Sequence, residues 1–139
     1  MIILDTNVIS EPMKARANPR VLAWLDRQVP ETLYLTAISL AELLVGIALL
    51  PRGKRKTGLD AELSEVVLRL FGARVLAFDE TAAKAYALLI ARARAAGHTL
   101  AVVDGQIAAI AAVHEFAVAT RDTTPFAAAG VSVINPWET

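Results

Sequence analysis

Apolar and polar positions follow one another in short blocks along this chain, and the period changes from block to block. Ile2-Ile3-Leu4 is a short, wholly apolar run, the mark of a buried strand. Asp5, Thr6 and Asn7 follow it, three side chains able to satisfy free amides at a helix start. Asn18-Pro19 reads as a helix cap and first helical residue, with Val21, Leu22 and Leu25 facing the core of a helix that ends near Arg27. Leu33 to Thr36 is a second strand. Ser39 caps, or sits early in, a helix running through Ala41 to Leu50, and Pro51-Arg52-Gly53 stops it. Thr57 with Asp60 resembles a capping box, opening a helix in which Leu59, Leu63, Val66, Val67 and Leu70 have helical spacing. Arg74 to Phe78 reads as a strand, and Asp79 caps a helix that ends at Gly97. Asp104 opens a further helix, Ile107 to Val113, and the strands Phe116 to Thr120 and Val131 to Ile134 close the chain.

Strands alternating with helices in this order predict an α/β fold: a short, mostly parallel sheet flanked by helices on both faces. The length of 139 residues suits one domain, and no repeat, low-complexity tract or linker divides residues 1–139. Hydrophobic residues make up 55% of the chain, so much of it should be interior or interface, including a self-association surface. The longest strongly apolar stretch, Ile38 to Leu50, is too short to span a bilayer and contains Glu42. Met1 leads straight into a strand, not into a leader with a cleavage site, which places the expected home in the cytoplasm. The absence of cysteine excludes disulfides, thiolate catalysis and Cys-ligated metals. The formal charge is zero, so any attraction to nucleic acid must be local. Arg52, Lys54, Arg55 and Lys56 form the one dense basic cluster, which fits a solvated helix connection as well as a nucleic-acid contact.

The placement of the acids carries the chemistry. Ten of the 14, Glu11 among them, have ordinary places on polar helix faces, in caps or near an end. The other four are isolated. Asp5 is the only charged side chain from Met1 to Ser10, Glu42 the only one from Thr32 to Pro51, and Asp104 the only one from Thr99 to Val113. Asp122, beside Arg121, closes the apolar run Phe116 to Ala119. A carboxylate in apolar surroundings is costly unless something compensates its charge. Four of them with few local cations call for a bound divalent ion, and Mg²⁺ or Mn²⁺ prefers such hard oxygen ligands. Asp5 and Asp122 directly follow strands, and ligands of open parallel sheets gather beyond the carboxyl ends of the strands. An ion held there can acidify an attacking water and steady the leaving oxygen of a phosphodiester.

Four stretches resemble the motifs of PIN domains: Ile3-Leu4-Asp5-Thr6-Asn7, Ser39-Leu40-Ala41-Glu42-Leu43, Val103-Asp104-Gly105-Gln106-Ile107-Ala108-Ala109 and Ala119-Thr120-Arg121-Asp122. The opening through Ser10-Glu11-Pro12 and the ending Ile134-Asn135-Pro136-Trp137 resemble the VapC/FitB-like toxins within that family. The resemblance covers nearly the whole chain. It implies an Mg²⁺- or Mn²⁺-dependent endoribonuclease, a homodimer, and a small antitoxin that inhibits it and binds operator DNA. It implies metal-holding roles for Asp5, Glu42, Asp104 and Asp122, with Thr6, Asn7, Thr120 and Arg121 as supporting or substrate-facing residues.

Other classes fit less well. A DNA nuclease of related fold would need a DNA-binding module that the chain does not display. A phosphatase with an aspartyl nucleophile would want an acid two places after Asp5, where Asn7 stands. A dinucleotide enzyme would want a glycine-rich turn after the first strand. The non-enzymatic alternative is a regulatory module of the same fold.

Overall fold

The computed structural model describes all 139 residues. Five strands, β1 (Ile2–Leu4), β2 (Leu33–Thr36), β3 (Val75–Leu76), β4 (Ala117–Ala119) and β5 (Val133–Ile134), form one sheet in the order β3-β2-β1-β4-β5. Every adjacent pair is parallel, with Ile3 opposite Tyr34 on one side and Val118 on the other. Seven helices cover the sheet: α1 (Thr6–Ser10), α2 (Pro19–Asp26), α3 (Ala37–Ala48), α4 (Lys54–Val66), α5 (Glu80–Ala95), α6 (Val102–His114) and α7 (Thr123–Ala128). The α/β architecture expected from the sequence is the one found.

Two cores lie on opposite faces, and the period-2 alternation of the strands divides them. Ile3 and Val118 point to one face, where Leu89, Ile107, Ile110 and Phe126 pack. Leu4 and Ala119 point to the other, where Val8, Trp24, Leu43, Leu63 and Phe71 pack. Helices α5 and α6 approach very closely. A Cβ at Gly105 would lie 2.9 Å from Tyr86 Cε1 and 3.1 Å from Ile90 Cδ1, so glycine is what permits this contact.

Several element boundaries differ from the sequence reading. Thr36, not Ser39, caps α3, its hydroxyl accepting from the Ser39 amide at 3.0 Å. Helix α4 begins at Lys54, so Thr57 lies inside it and donates to the Gly53 carbonyl at 3.1 Å instead of opening a capping box. The extra turn is anchored from outside, because Lys56 Nζ donates to the free Ala48 carbonyl at the end of α3, 3.0 Å away. Helix α6 starts two residues before Asp104, behind Ala101, which has no capping side chain. The short α7, nucleated around the buried Phe126, had no periodicity long enough to foresee.

Candidate metal centre

The strand order reverses between β1 and β4, and the crevice beyond the carboxyl ends of these two strands is where an open α/β sheet collects ligands. Asp5 is the first residue after β1 and is tied to the end of β4 by its amide, which donates to the Ala119 carbonyl at 3.0 Å. It also caps α1, with Oδ1 accepting from the Thr6 amide at 2.8 Å. Thr120 and Asp122 follow β4 directly. Glu42 stands on α3, in the second turn after β2. Asp104 stands in the first turn of α6, whose N-terminus lies at the same edge because its C-terminus feeds β4.

Hydrogen bonds link these positions. The fully buried Thr120 hydroxyl donates to Asp5 Oδ2 at 2.8 Å and accepts from the Asp122 amide at 3.0 Å. Asn7 Nδ2 reaches the same hydroxyl at 3.4 Å, while Asn7 Oδ1 accepts from the Arg121 amide at 3.3 Å. Thr6 Oγ1 donates to Glu42 Oε1 at 2.8 Å. Thr6, Asn7 and Thr120 therefore aim the acids and fix the loop after β4 against the loop after β1. The Arg121 guanidinium leaves its acidic neighbour and lies 5.4 Å from the centre of the Trp137 ring. It pairs with none of the four acids.

The electrostatics are those of uncompensated charge. Asp5 is only 5% exposed, and burial raises its pKa above the ordinary carboxyl value, with the Asp104 and Glu42 charges adding to the rise against the Thr120 and Thr6 hydrogen bonds. Burial likewise raises Asp104, followed by the charges of Asp122 and Glu42. Each of the four acids thus enters the field of another. The three ion pairs of the chain, Lys14–Glu11, Arg69–Glu65 and Lys84–Glu80, lie elsewhere. Such a set, all oxygen donors and all negative, fits Mg²⁺ or Mn²⁺ by donor type and charge.

Glu11 is the acid that sequence reasoning misplaced. It is not on a polar face but 4% exposed, accepting from Lys14 Nζ at 3.1 Å and from the Asn18 amide at 3.3 Å. Burial pushes its pKa up, but the Lys14 and Asn18 hydrogen bonds and the Lys14 and Arg121 charges outweigh it and hold the carboxyl below its ordinary value. Lys14 three places on was the available signal. Ser39, one turn before Glu42 on α3, is also buried, and its hydroxyl has no hydrogen-bond partner.

Comparison with known proteins gives a consistent picture. The PIN domain profile matches residues 2–131. The chain is 56% identical over 138 residues to a plasmid stability protein, StbB, of Pseudomonas syringae pv. tomato, covering 99% of each. It is 54% identical over 138 residues to the VapC ribonuclease Y4jK of Sinorhizobium fredii, again covering 99% of each. It is 51% identical over 137 residues to toxin FitB of Neisseria gonorrhoeae, with the same coverage. Its fold superposes on the structure of FitAB bound to an IR36 DNA fragment with a TM-score of 0.95 and 50% identity, covering 99% of this chain and 96% of that one.

Proposed function

We propose that this chain, which belongs to the PIN-domain family and within it to the VapC/FitB-like toxins, is a divalent-metal-dependent endoribonuclease that a small protein partner restrains. The observation that carries the proposal is the set Asp5, Glu42, Asp104 and Asp122: four acids from four elements, at the switch in strand order, with no cation partner. A protein gains nothing in stability from this arrangement, so it points to a ligand.

When bound, Mg²⁺ or Mn²⁺ neutralises the acids and makes an attacking water more acidic. Asp5, Glu42 and Asp104 are the residues that would hold it, directly or through water. Asp122 would orient the attacking water or help hold a second ion. Thr120 keeps Asp5 Oδ2 in place, and Thr6 does the same for Glu42 Oε1. Asn7 holds the backbone of Arg121, whose exposed guanidinium, beside the Trp137 ring, would meet a phosphate of the substrate. The phosphodiester would be hydrolysed by water, with no covalent enzyme intermediate.

The partner reading rests on the relatives. FitAB is a two-protein assembly bound to DNA, and this chain has zero net charge and no element of its own for reading DNA bases. DNA binding would therefore belong to the partner. A guanidinium or ammonium from that partner, set among the acids, would compensate the same charges as the metal and shut the site. Self-association is supported by the apolar side chains left open on α3, Leu44, Val45 and Leu49, which suit an interface. No helix is long and apolar enough to cross a membrane.

The test is a cleavage assay with purified protein on RNA and DNA oligonucleotides, with Mg²⁺, Mn²⁺ or EDTA. Cleavage of RNA should require the ion and fall at least about a hundredfold in Asp5→Asn, because loss of a ligand exceeds the effect of losing its support. Cleavage of DNA alone, or undiminished cleavage by Asp5→Asn at saturating Mg²⁺, would replace this reading.

A further inference from the structure

A groove of about 800 Å³ opens beside the acids, with Thr6 and Glu42 at one end. Its lining includes apolar side chains, Met13 and Ile47 among them, and two cations, Lys14 and Arg55. We propose that this groove seats the single-stranded RNA on its way to the acids, and that Lys14 and Arg55 hold its phosphates there. The proposal rests on the ribonuclease reading and names the residues that deliver the substrate.

Four carboxylates repel a polyanion, and the chain as a whole has no net positive charge to offset that repulsion. Attraction must come from cations placed on the path to the acids, and this groove is continuous with Glu42. The basic cluster of residues 52–56 is not one feature in the folded chain. Lys56 is turned to the Ala48 carbonyl at the end of α3, and only Arg55 of the four lines the groove. Arg55 forms no ion pair, so its guanidinium remains available as a phosphate fork.

Lys14 lines the same groove from the turn that follows α1. Its ammonium is 3.1 Å from the buried Glu11, whose other oxygen holds the Asn18 amide, so the carboxylate fixes the cation's position. An ammonium has three donors, and the bond to Glu11 takes one. Glu11 is thus a positioning residue, and a half-exposed lysine becomes an oriented one. Two cations among apolar lining residues suit a strand that presents phosphates to the cations and base or ribose faces to the apolar side chains. An acidic peptide would meet the same cations but would carry its charge up to Glu42, where a peptide has no bond for these acids to cut.

The experiment compares Lys14→Gln and Arg55→Gln with Arg52→Gln and Lys54→Gln, which remove the same charge from the same region without touching the groove. KM and kcat for RNA cleavage and the salt dependence of RNA binding are measured for each. Lys14→Gln and Arg55→Gln should each raise KM by about fivefold with little change in kcat. Each should also make the log–log salt slope shallower by about 0.7, one single-strand phosphate contact. The two control variants should leave both unchanged. If the wild type does not cleave RNA at all, the ribonuclease reading fails. If it cleaves and all four variants behave alike, the groove assignment fails while that reading stands. A loss confined to binding of a protein partner, with RNA kinetics unchanged, would also overturn it and give the groove to that partner.

Discussion

The two faces of the sheet are built to different standards. On one, α5 and α6 meet across a glycine, and Ile107 to Ala111 are all buried. On the other, α3 leaves Leu44 and Val45 in solvent, Leu49 just past its end is 80% exposed, and Leu68 is exposed in the turn after α4, whereas the first face exposes Leu88 and Val102 alone among its large apolar residues. The groove that ends at Glu42 and two smaller apolar hollows all lie on this looser side. The acids straddle the boundary. Asp104 stands on the tight half, Glu42 on the open half, and Asp5 and Asp122 at the sheet edge between them. A rigid half can hold charged groups in mutual repulsion, while an open half can admit a strand or a partner. The difference teaches that α3 carries apolar side chains the core does not use, and the proposed function gives them to contact with other molecules.

Substitutions can break or sharpen this contrast. The largest difference should come from truncating one residue on each half. Ile107→Ala, from a fully buried site, should cost about 2–5 kcal/mol in chemical denaturation. Leu49→Ala should stay within about 0.5 kcal/mol for the isolated chain. Next come the two helical glycines, which should respond with opposite signs. Gly105→Ala drives a methyl into Tyr86 and Ile90 and should cost about 1–3 kcal/mol. Gly46→Ala on α3 meets nothing within 4 Å, and should stabilise the helix by about 0.5–1 kcal/mol. Equal signs at the two positions would erase the distinction.

Glu11 provides the pH-dependent case. Its folded pKa lies below the unfolded value, so its contribution is present above the unfolded pKa and is lost as pH falls through the folded one. Glu11→Ala leaves the Asn18 amide without its acceptor and should cost about 1–3 kcal/mol at neutral pH. Denaturation at neutral and acid pH should show the gap between wild type and variant narrowing on acidification.

On the tight half α5 was legible in the sequence, because it has a clean cap and a long repeat, whereas α6 lacks a capping side chain and α7 is too short to show a period. Asp79 caps α5 by accepting from the Ala82 amide at 2.9 Å, as its sequence position predicts. The open half misled where tertiary contact overrode local signal. Basic residues at a helix start oppose the helix dipole, so the sequence favoured Thr57 as the beginning of α4. The bond from Lys56 to the end of α3 makes the earlier start possible. Of the four proposed metal-holding acids, Asp5, Glu42 and Asp104 stood out as lone charges in apolar stretches, while Asp122, beside Arg121, stood out by its place after a strand. The Thr120 hydroxyl, named only as a supporting residue, emerges as the hub joining Asp5, Asn7 and Asp122, a role that depends on residues 113 and 115 positions away. Glu11 was hidden because its cation partner is close in sequence and so resembled an ordinary surface pair.

The most direct measurement is the thermal stability of wild type and Asp5→Asn across pH, with EDTA and with Mg²⁺. Asp5 and Asp104 have folded pKa values above their unfolded ones. Folding therefore opposes their ionisation, and the resulting destabilisation is absent below the unfolded pKa and complete above the folded pKa. In EDTA, Asp5→Asn should melt above the wild type at neutral pH, and the difference should shrink on acidification, as the wild-type carboxyl takes up its proton. Mg²⁺ should raise the wild-type melting temperature and do far less for the variant. A wild type that melts with Asp5→Asn at every pH, and that Mg²⁺ does not stabilise, would contradict a charge cluster built for a divalent ion.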